Sequence, residues 1–138
     1  MDEANCIFCK ILAGTVPSFK LAEDALSFAM LDINPANPGH ALVLSRRHAP
    51  SLTASRDEDV AAAMAMARRI AAAIETALKP DGINLVQANG PGAAQSVPHF
   101  HIHVLPRRIG DDLKLNWQLV PGDRAALAAL AERLRAAL

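Results

Sequence analysis

The chain has 138 residues, 51% of them hydrophobic and 20% charged, which suits one domain with a sizeable core and excludes the disordered and disulfide-scaffold classes. Lys plus Arg and Asp plus Glu number 14 each, so the formal net charge is zero and no whole-molecule field steers the protein onto nucleic acid or an acidic membrane. No apolar run reaches the roughly 20 residues that span a bilayer, and Met1-Asp2-Glu3 is acidic where a secretory signal is basic, so the expectation is a soluble cytoplasmic protein with neither a membrane nor a nucleic-acid partner.

In chain order, Cys6 and Cys9 come first, the only two cysteines, in a C-x-x-C pair. In the reducing cytosol that spacing serves either two metal thiolates or a redox pair. A redox pair usually sits between a strand and a helix N-terminus, and no strand pattern precedes Asn5-Cys6-Ile7-Phe8-Cys9, which favours a metal. Two cysteines then need two further ligands, and histidine is the usual supplier.

Phe19 to Glu23, Ser27 to Leu31 and His40 to Ser45 read as short strands, broken at Glu23-Asp24-Ala25 and at Asn34-Pro35-Ala36-Asn37-Pro38-Gly39. Ser55-Arg56-Asp57-Glu58 has the form of a capping box and opens an alanine-rich stretch that ends before Pro80. Val60, Met64, Ala67, Ala71, Ile74 and Leu78 recur at helical spacing, which predicts one long helix burying that stripe against the sheet. Ile83 to Gln87 returns to strand character, and Asn89-Gly90-Pro91-Gly92-Ala93-Ala94 is a loop of residues that bend without bulk.

The next strand, led by Pro98, carries the chemistry. In His99-Phe100-His101-Ile102-His103 the three imidazoles project from one face of a strand while Phe100, Ile102 and Val104 cover the other. Imidazole titrates near neutral pH, ligates metals and attacks phosphorus, so three aimed at one place point to a site. The other two histidines, His40 and His48, flank Ala41-Leu42-Val43-Leu44. Past Pro106-Arg107-Arg108, an irregular segment containing Trp117 leads to a helix from about Arg124 to Leu138, with Asp123 as N-cap and Leu127, Leu130, Leu134 and Leu138 as an apolar stripe expected in the core. The whole reads as a single α+β domain, residues 1–138, with a mainly antiparallel sheet of about five strands, one long central helix and a C-terminal helix. Neither G-x-G-x-x-G nor a P-loop is present.

The run Gln95-Ser96-Val97-Pro98-His99-Phe100-His101-Ile102-His103-Val104 resembles the signature of the histidine triad (HIT) superfamily of nucleotide hydrolases and transferases. Pro38 to Leu44, Leu31-Asp32-Ile33-Asn34-Pro35 and Cys6-Ile7-Phe8-Cys9-Lys10-Ile11 are similar to that family's other blocks, in order along nearly the whole chain, and the C-x-x-C places the likeness in a Hint-like, bacterial-type branch with a zinc-type cysteine pair.

The resemblance implies the HIT fold and a nucleotide hydrolase that cleaves the α-phosphate bond of purine nucleoside phosphoramidates or similar conjugates. His101 would attack phosphorus through a covalent nucleotidyl-histidine, with its other ring nitrogen held by a backbone carbonyl near the third histidine and its neutrality helped by a neighbouring cation. His40 and His103 would position the α-phosphate, Ser96 would contact the leaving group, and Gln95 would contact phosphate oxygens or the leaving group. Asp32 would bind the ribose hydroxyls, and Ile33, Phe8, Ile11 and Val16, equally readable as core, would line the base slot. His99 would join Cys6, Cys9 and His48 in a closed Cys₂His₂ set for a structural zinc. The family pairs protomers edge to edge, which implies a homodimer. Three alternatives stand beside this reading: a dinucleoside polyphosphate hydrolase with the same histidines, a nucleotide-binding sensor or interaction module, and a thiol redox protein using Cys6 and Cys9. Two departures stand out. Ala94 occupies a position that is usually glycine and is strained if its φ is positive, and Met30 replaces a frequently aromatic residue.

Overall fold

Residues 3–138 are described in the computed structural model; Met1 and Asp2, and with them most of the acidic N-terminus, lie outside the described residues. The elements run α1 (Ile7–Leu12), β1 (Lys20–Glu23), β2 (Ser27–Leu31), β3 (Ala41–Ser45), α2 (Asp57–Leu78), β4 (Gly82–Val86), β5 (His101–Arg107) and α3 (Arg124–Arg135). The strands form one antiparallel sheet in the order β1-β2-β3-β5-β4. The α+β architecture is the expected one.

The register of the central pair sets the two faces. Leu44 opposes His101, Val43 opposes Ile102 and Leu42 opposes His103. Alternation along β3 and β5 therefore sends Val43, Ile102 and Val104 to one side and Leu42, Leu44, His101 and His103 to the other. On the first side Phe100, Ile102, Val104, Ala29, Ala41 and Val43 pack under α2 through Ala63, Met66, Ala67, Ile70 and Ile74. On the second, Phe28, Met30, Leu42 and Leu44 pack with Cys6 and Phe8. α1 thus lies on the histidine face, a six-residue helix too short for periodicity to reveal.

Four expectations are corrected. The capping box at the start of α2 does not form: Arg56 is the N-cap, and the Ser55 hydroxyl donates to the Ser51 carbonyl at 2.8 Å. Asp57, Glu58 and Asp59 instead place negative charge in the first turn, where the helix dipole favours it. The buried stripe is rotated from the one expected, since Met64 is 49% exposed and Leu78 41% while Ala63, Met66 and Ile70 are buried. In an alanine-rich helix several faces are smooth enough to lie on a sheet, and the fit of Met66 and Ile70 selects one. The strand begins at His101 rather than Pro98, because Phe100 N–H donates to the Ala49 carbonyl at 2.7 Å and His99 N–H to the Val97 carbonyl at 2.8 Å.

The C-terminal helix forms where expected, with the Asp123 carboxylate accepting from Ala126 N–H at 2.8 Å, but it buries none of its residues; Leu127, Leu130 and Leu134 are exposed. Both faces of the sheet are already covered by α2 and α1. Among the described residues no helix is long and apolar enough to cross a membrane. The turn before β3 depends on Gly39 at φ 93°, where a Cβ would stand 2.4 Å from Leu78 Cδ1 and 3.2 Å from Pro106 Cγ.

Candidate active site and metal centre

α1 and the end of β3 converge on the entrance of β5 and bring Cys6, Cys9, His48 and His99 together, their ligand atoms within 4.8 Å of one another. Cys6 Sγ lies 3.4 Å from His99 Nδ1, Cys9 Sγ 3.4 Å from His48 Nδ1 and 3.5 Å from His99 Nδ1, and the two Nδ1 atoms are 3.3 Å apart. Tetrahedral ligands at the bond lengths of zinc stand about 3.6 Å apart from S to N and about 3.3 Å from N to N, so the four residues fit such an ion. The tautomer is also right. His99 Nε2 lies 2.7 Å from the Ser45 carbonyl, which can only accept, so the proton sits on Nε2 and the Nδ1 lone pair faces the thiols. Burial pushes the Cys9 thiol up to about 12, with Cys6 and Glu3 adding to it. That is the reverse of a reactive redox thiol, and a metal would displace the proton.

Two residues along, His101 Nδ1 donates to the carbonyl of His99 at 2.6 Å. The carbonyl is therefore that of the first histidine, not one near the third. The proton on Nδ1 leaves Nε2 with a lone pair, and no partner occupies it among the described residues. Burial lowers the pKa of His101, and no cation is needed to keep the ring neutral. Phe8 meets the rings of His99 and His101 edge-on at 5.8 and 5.0 Å, so the helix that carries the thiols also braces the middle histidine.

His40 Nε2 and His103 Nδ1 are 2.8 Å apart, and His40 Nε2 is 3.5 Å from Asp32 Oδ2. Burial lowers the pKa of His40 against the opposing charge of Asp32, so the longer contact is not an ion pair at neutral pH. His103 is pushed down to about 4 by burial first and by the neighbouring His101 and His40 second.

These imidazoles open into a cavity of ≈ 520 Å³. Phe8, Asp32, Ile33, His40, Ser96, His101 and His103 all line it, joined by Ile7, Pro17, Leu42 and Val97. Asp32 Oδ1 accepts from Asn34 N–H at 2.8 Å, which orients the carboxylate. Ile33 stands at the mouth, 74% exposed. Ile11 packs instead with the apolar cluster under α1, and half-buried Val16 is not among the lining residues. Gln95 is engaged with backbone: its Oε1 accepts from Gly90 N–H at 2.8 Å, and its Nε2 donates to the Pro50 carbonyl at 2.7 Å and the Val97 carbonyl at 3.2 Å. It shapes the loop that presents Ser96. Of the residues not anticipated, Leu42 shares the histidine face by simple alternation from Leu44, whereas the Ser45 carbonyl has no signal in the sequence.

The HIT domain family matches residues 13–110, more than half of the chain. An adenosine 5′-monophosphoramidase of Schizosaccharomyces pombe is 38% identical over 131 residues, 94% of this chain and 96% of that one. A HIT family protein from Bacillus anthracis superposes with a TM-score of 0.92 at 33% identity, covering 97% of each chain. A zinc-bound histidine triad family protein from Mycobacterium smegmatis superposes with a TM-score of 0.77 at 37% identity, covering 96% of this chain and 99% of that one. Family match, near full-length likeness and the grouped histidines agree: the chain belongs to the HIT domain family.

Proposed function

We propose that the protein is a nucleotide hydrolase that cleaves purine nucleoside phosphoramidates, or similar conjugates, at the α-phosphate. The observation that carries this is the unpartnered Nε2 lone pair of neutral His101 inside the pocket, its Nδ1 proton tied to the His99 carbonyl. Nε2 attacks phosphorus, the P–N bond breaks with its electron pair on nitrogen, and the nitrogen leaves protonated as the amine. Water then attacks the nucleotidyl-His101, releasing the nucleoside monophosphate and restoring the neutral ring. Asp32 holds the ribose hydroxyls, Phe8 and Ile33 border the base, Ser96 meets the leaving group, and His40 with His103 holds the phosphate.

The charge of the pocket supports an amine over a polyphosphate leaving group. Asp32 is the one acidic side chain among its lining residues, and no Lys or Arg lines it. A departing nucleoside polyphosphate would find no cation among the described residues that line this pocket, while an amine needs none. The monophosphoramidase relative points the same way.

Cys6, Cys9, His48 and His99 would hold zinc. A four-ligand site leaves no open position, so an ion held there would anchor α1 to the start of β5 and take no part in the reaction. A reducing cytoplasm is the compartment that suits this thiol pair. The exposed apolar C-terminal region supports a homodimer.

Release of AMP from an adenosine phosphoramidate and from diadenosine triphosphate, by the wild type and by His101→Ala, tests the reading. Preferential cleavage of the phosphoramidate, lost in the variant, is expected. Preference for the triphosphate would assign a dinucleoside polyphosphate hydrolase, and no turnover of either would assign a binding module.

A further inference from the structure

We infer that the backbone N–H of Ala36 is a positioning group: it fixes the tautomer of His40 and, through it, that of His103, so that the pocket holds one immobile N–H donor beside the bare nitrogen of His101. The use made of that donor rests on the hydrolase reading, but the positions of the protons do not.

Ala36 N–H donates to His40 Nδ1 at 3.0 Å. A backbone amide has only a proton to offer, so His40 Nδ1 is a lone pair and the neutral ring carries its proton on Nε2. That proton meets His103 Nδ1 at 2.8 Å, the nearer of its two acceptors. His103 Nδ1 therefore accepts, and the proton of neutral His103 lies on Nε2, which has no protein partner among the described residues and belongs to a ring that lines the pocket. The loop is held in place to do this: Asn37 Nδ2 donates to the Pro106 carbonyl and to Asp111 Oδ2, each at 2.9 Å, and the Asn37 carbonyl accepts from His40 N–H at 3.0 Å.

The chain of hydrogen bonds has a dead end. Were His103 to give its Nε2 proton away and draw a replacement from His40 onto Nδ1, His40 would be left an imidazolate, because Ala36 cannot release its amide proton. The pair accordingly donates a hydrogen bond to a phosphate oxygen and delivers no proton. The proton acquired by the leaving nitrogen comes from solvent or arrives on the substrate. For the same reason Asp32, His40 and His103 do not form a second metal site, although their ligand atoms lie within 4.8 Å of one another. His40 Nε2 presents a proton where an ion needs a lone pair.

The test is a long-range proton–nitrogen spectrum of the imidazoles of the isotope-labelled, metal-loaded full chain, at neutral pH without substrate. His40 and His103 should each show a protonated Nε2 and a bare Nδ1, and His101 the reverse. A proton on His40 Nδ1, or averaged nitrogens on either ring, would overturn the inference. Ala36→Pro removes the N–H and should mix the His40 tautomers and lower kcat with little change in KM, whereas Ala36→Gly keeps the N–H and should keep the wild-type spectrum. An unchanged His40 spectrum in Ala36→Pro also overturns it. If that variant fails to fold, the wild-type spectrum still decides. The expected tautomers in a chain without turnover would sink the hydrolase reading alone, and turnover with other tautomers would sink this one alone.

Discussion

Ala94 is held at φ 57° and ψ 35°, so the departure from glycine at this position does carry strain. The left-handed region costs an L-residue roughly 1–2 kcal/mol, and glycine returns part of that gain through its freer unfolded chain. Ala94→Gly should stabilise the protein by about 0.5–1 kcal/mol, read as a rise in Tm, and a fall would mean that the methyl group makes a contact worth more than the strain. His103 gives a pH-dependent prediction. Its pKa falls from 6.5 to about 4 on folding, so the stability it contributes is complete above 6.5 and is lost as pH drops toward 4, where the unfolded chain binds the proton and the folded one does not. Urea unfolding should therefore show the wild type losing more stability across that window than His103→Gln; equal losses would place the His103 pKa near its ordinary value. Side chains such as Cys6, Cys9, His40, His48, His99, His101 and His103 could be singled out in the sequence by their type and clustering, and the resemblance to the HIT family sorted them into two candidate sites. The groups that fix their protons are the His99 and Ser45 carbonyls and the Ala36 N–H. Backbone atoms have no letter of their own, and only folding shows which imidazole they meet.

At the scale of elements, α1 joins the candidate metal centre and the pocket. It carries Cys6 and Cys9 on one side and Phe8, against His99 and His101, on the other. Removing zinc with a chelator should lower Tm and raise KM together, since the wall of the nucleotide pocket loses its anchor, and metal analysis should give one zinc per chain beforehand. A melt unaffected by chelation would show that α1 docks through Phe8 alone. The face of α2 gives a second test. Met64→Lys, on the exposed side, should change stability by no more than about 0.5 kcal/mol. Ala63→Leu, under the sheet, should cost about 1–3 kcal/mol by overpacking, and reversed effects would restore the stripe expected from spacing. Long patterned elements were readable: every strand lies within a few residues of its predicted place, and so does α2. What escaped was what pattern does not encode. Six residues of α1 hold less than two turns of periodicity, and the first residues of the histidine run pair with Ala49 and Val97 instead of extending the strand.

The whole molecule exposes 9134 Å², whereas a compact monomer of its mass exposes about 6,900 Å². The excess is about 2,200 Å², and in the C-terminal region Trp117, Leu119, Val120, Leu127, Leu130 and Leu134 are all more than 40% exposed. Covering that excess on two copies would bury about 4,400 Å² in total, within the range of obligate homodimers. Within the chain α2 packs on one face of the sheet and α1 on the other. Light scattering at micromolar concentration should accordingly give twice the chain mass. Leu127→Glu combined with Leu130→Glu should shift the protein to monomer while leaving its far-ultraviolet circular dichroism intact, since neither leucine belongs to the core of its own protomer. Trp117 reports the same event: its emission should move to longer wavelength on dissociation. A wild-type monomer with red-shifted Trp117 emission would mean that the C-terminal region stands in solvent, and the apolar stripe of α3 would then need a different occupant.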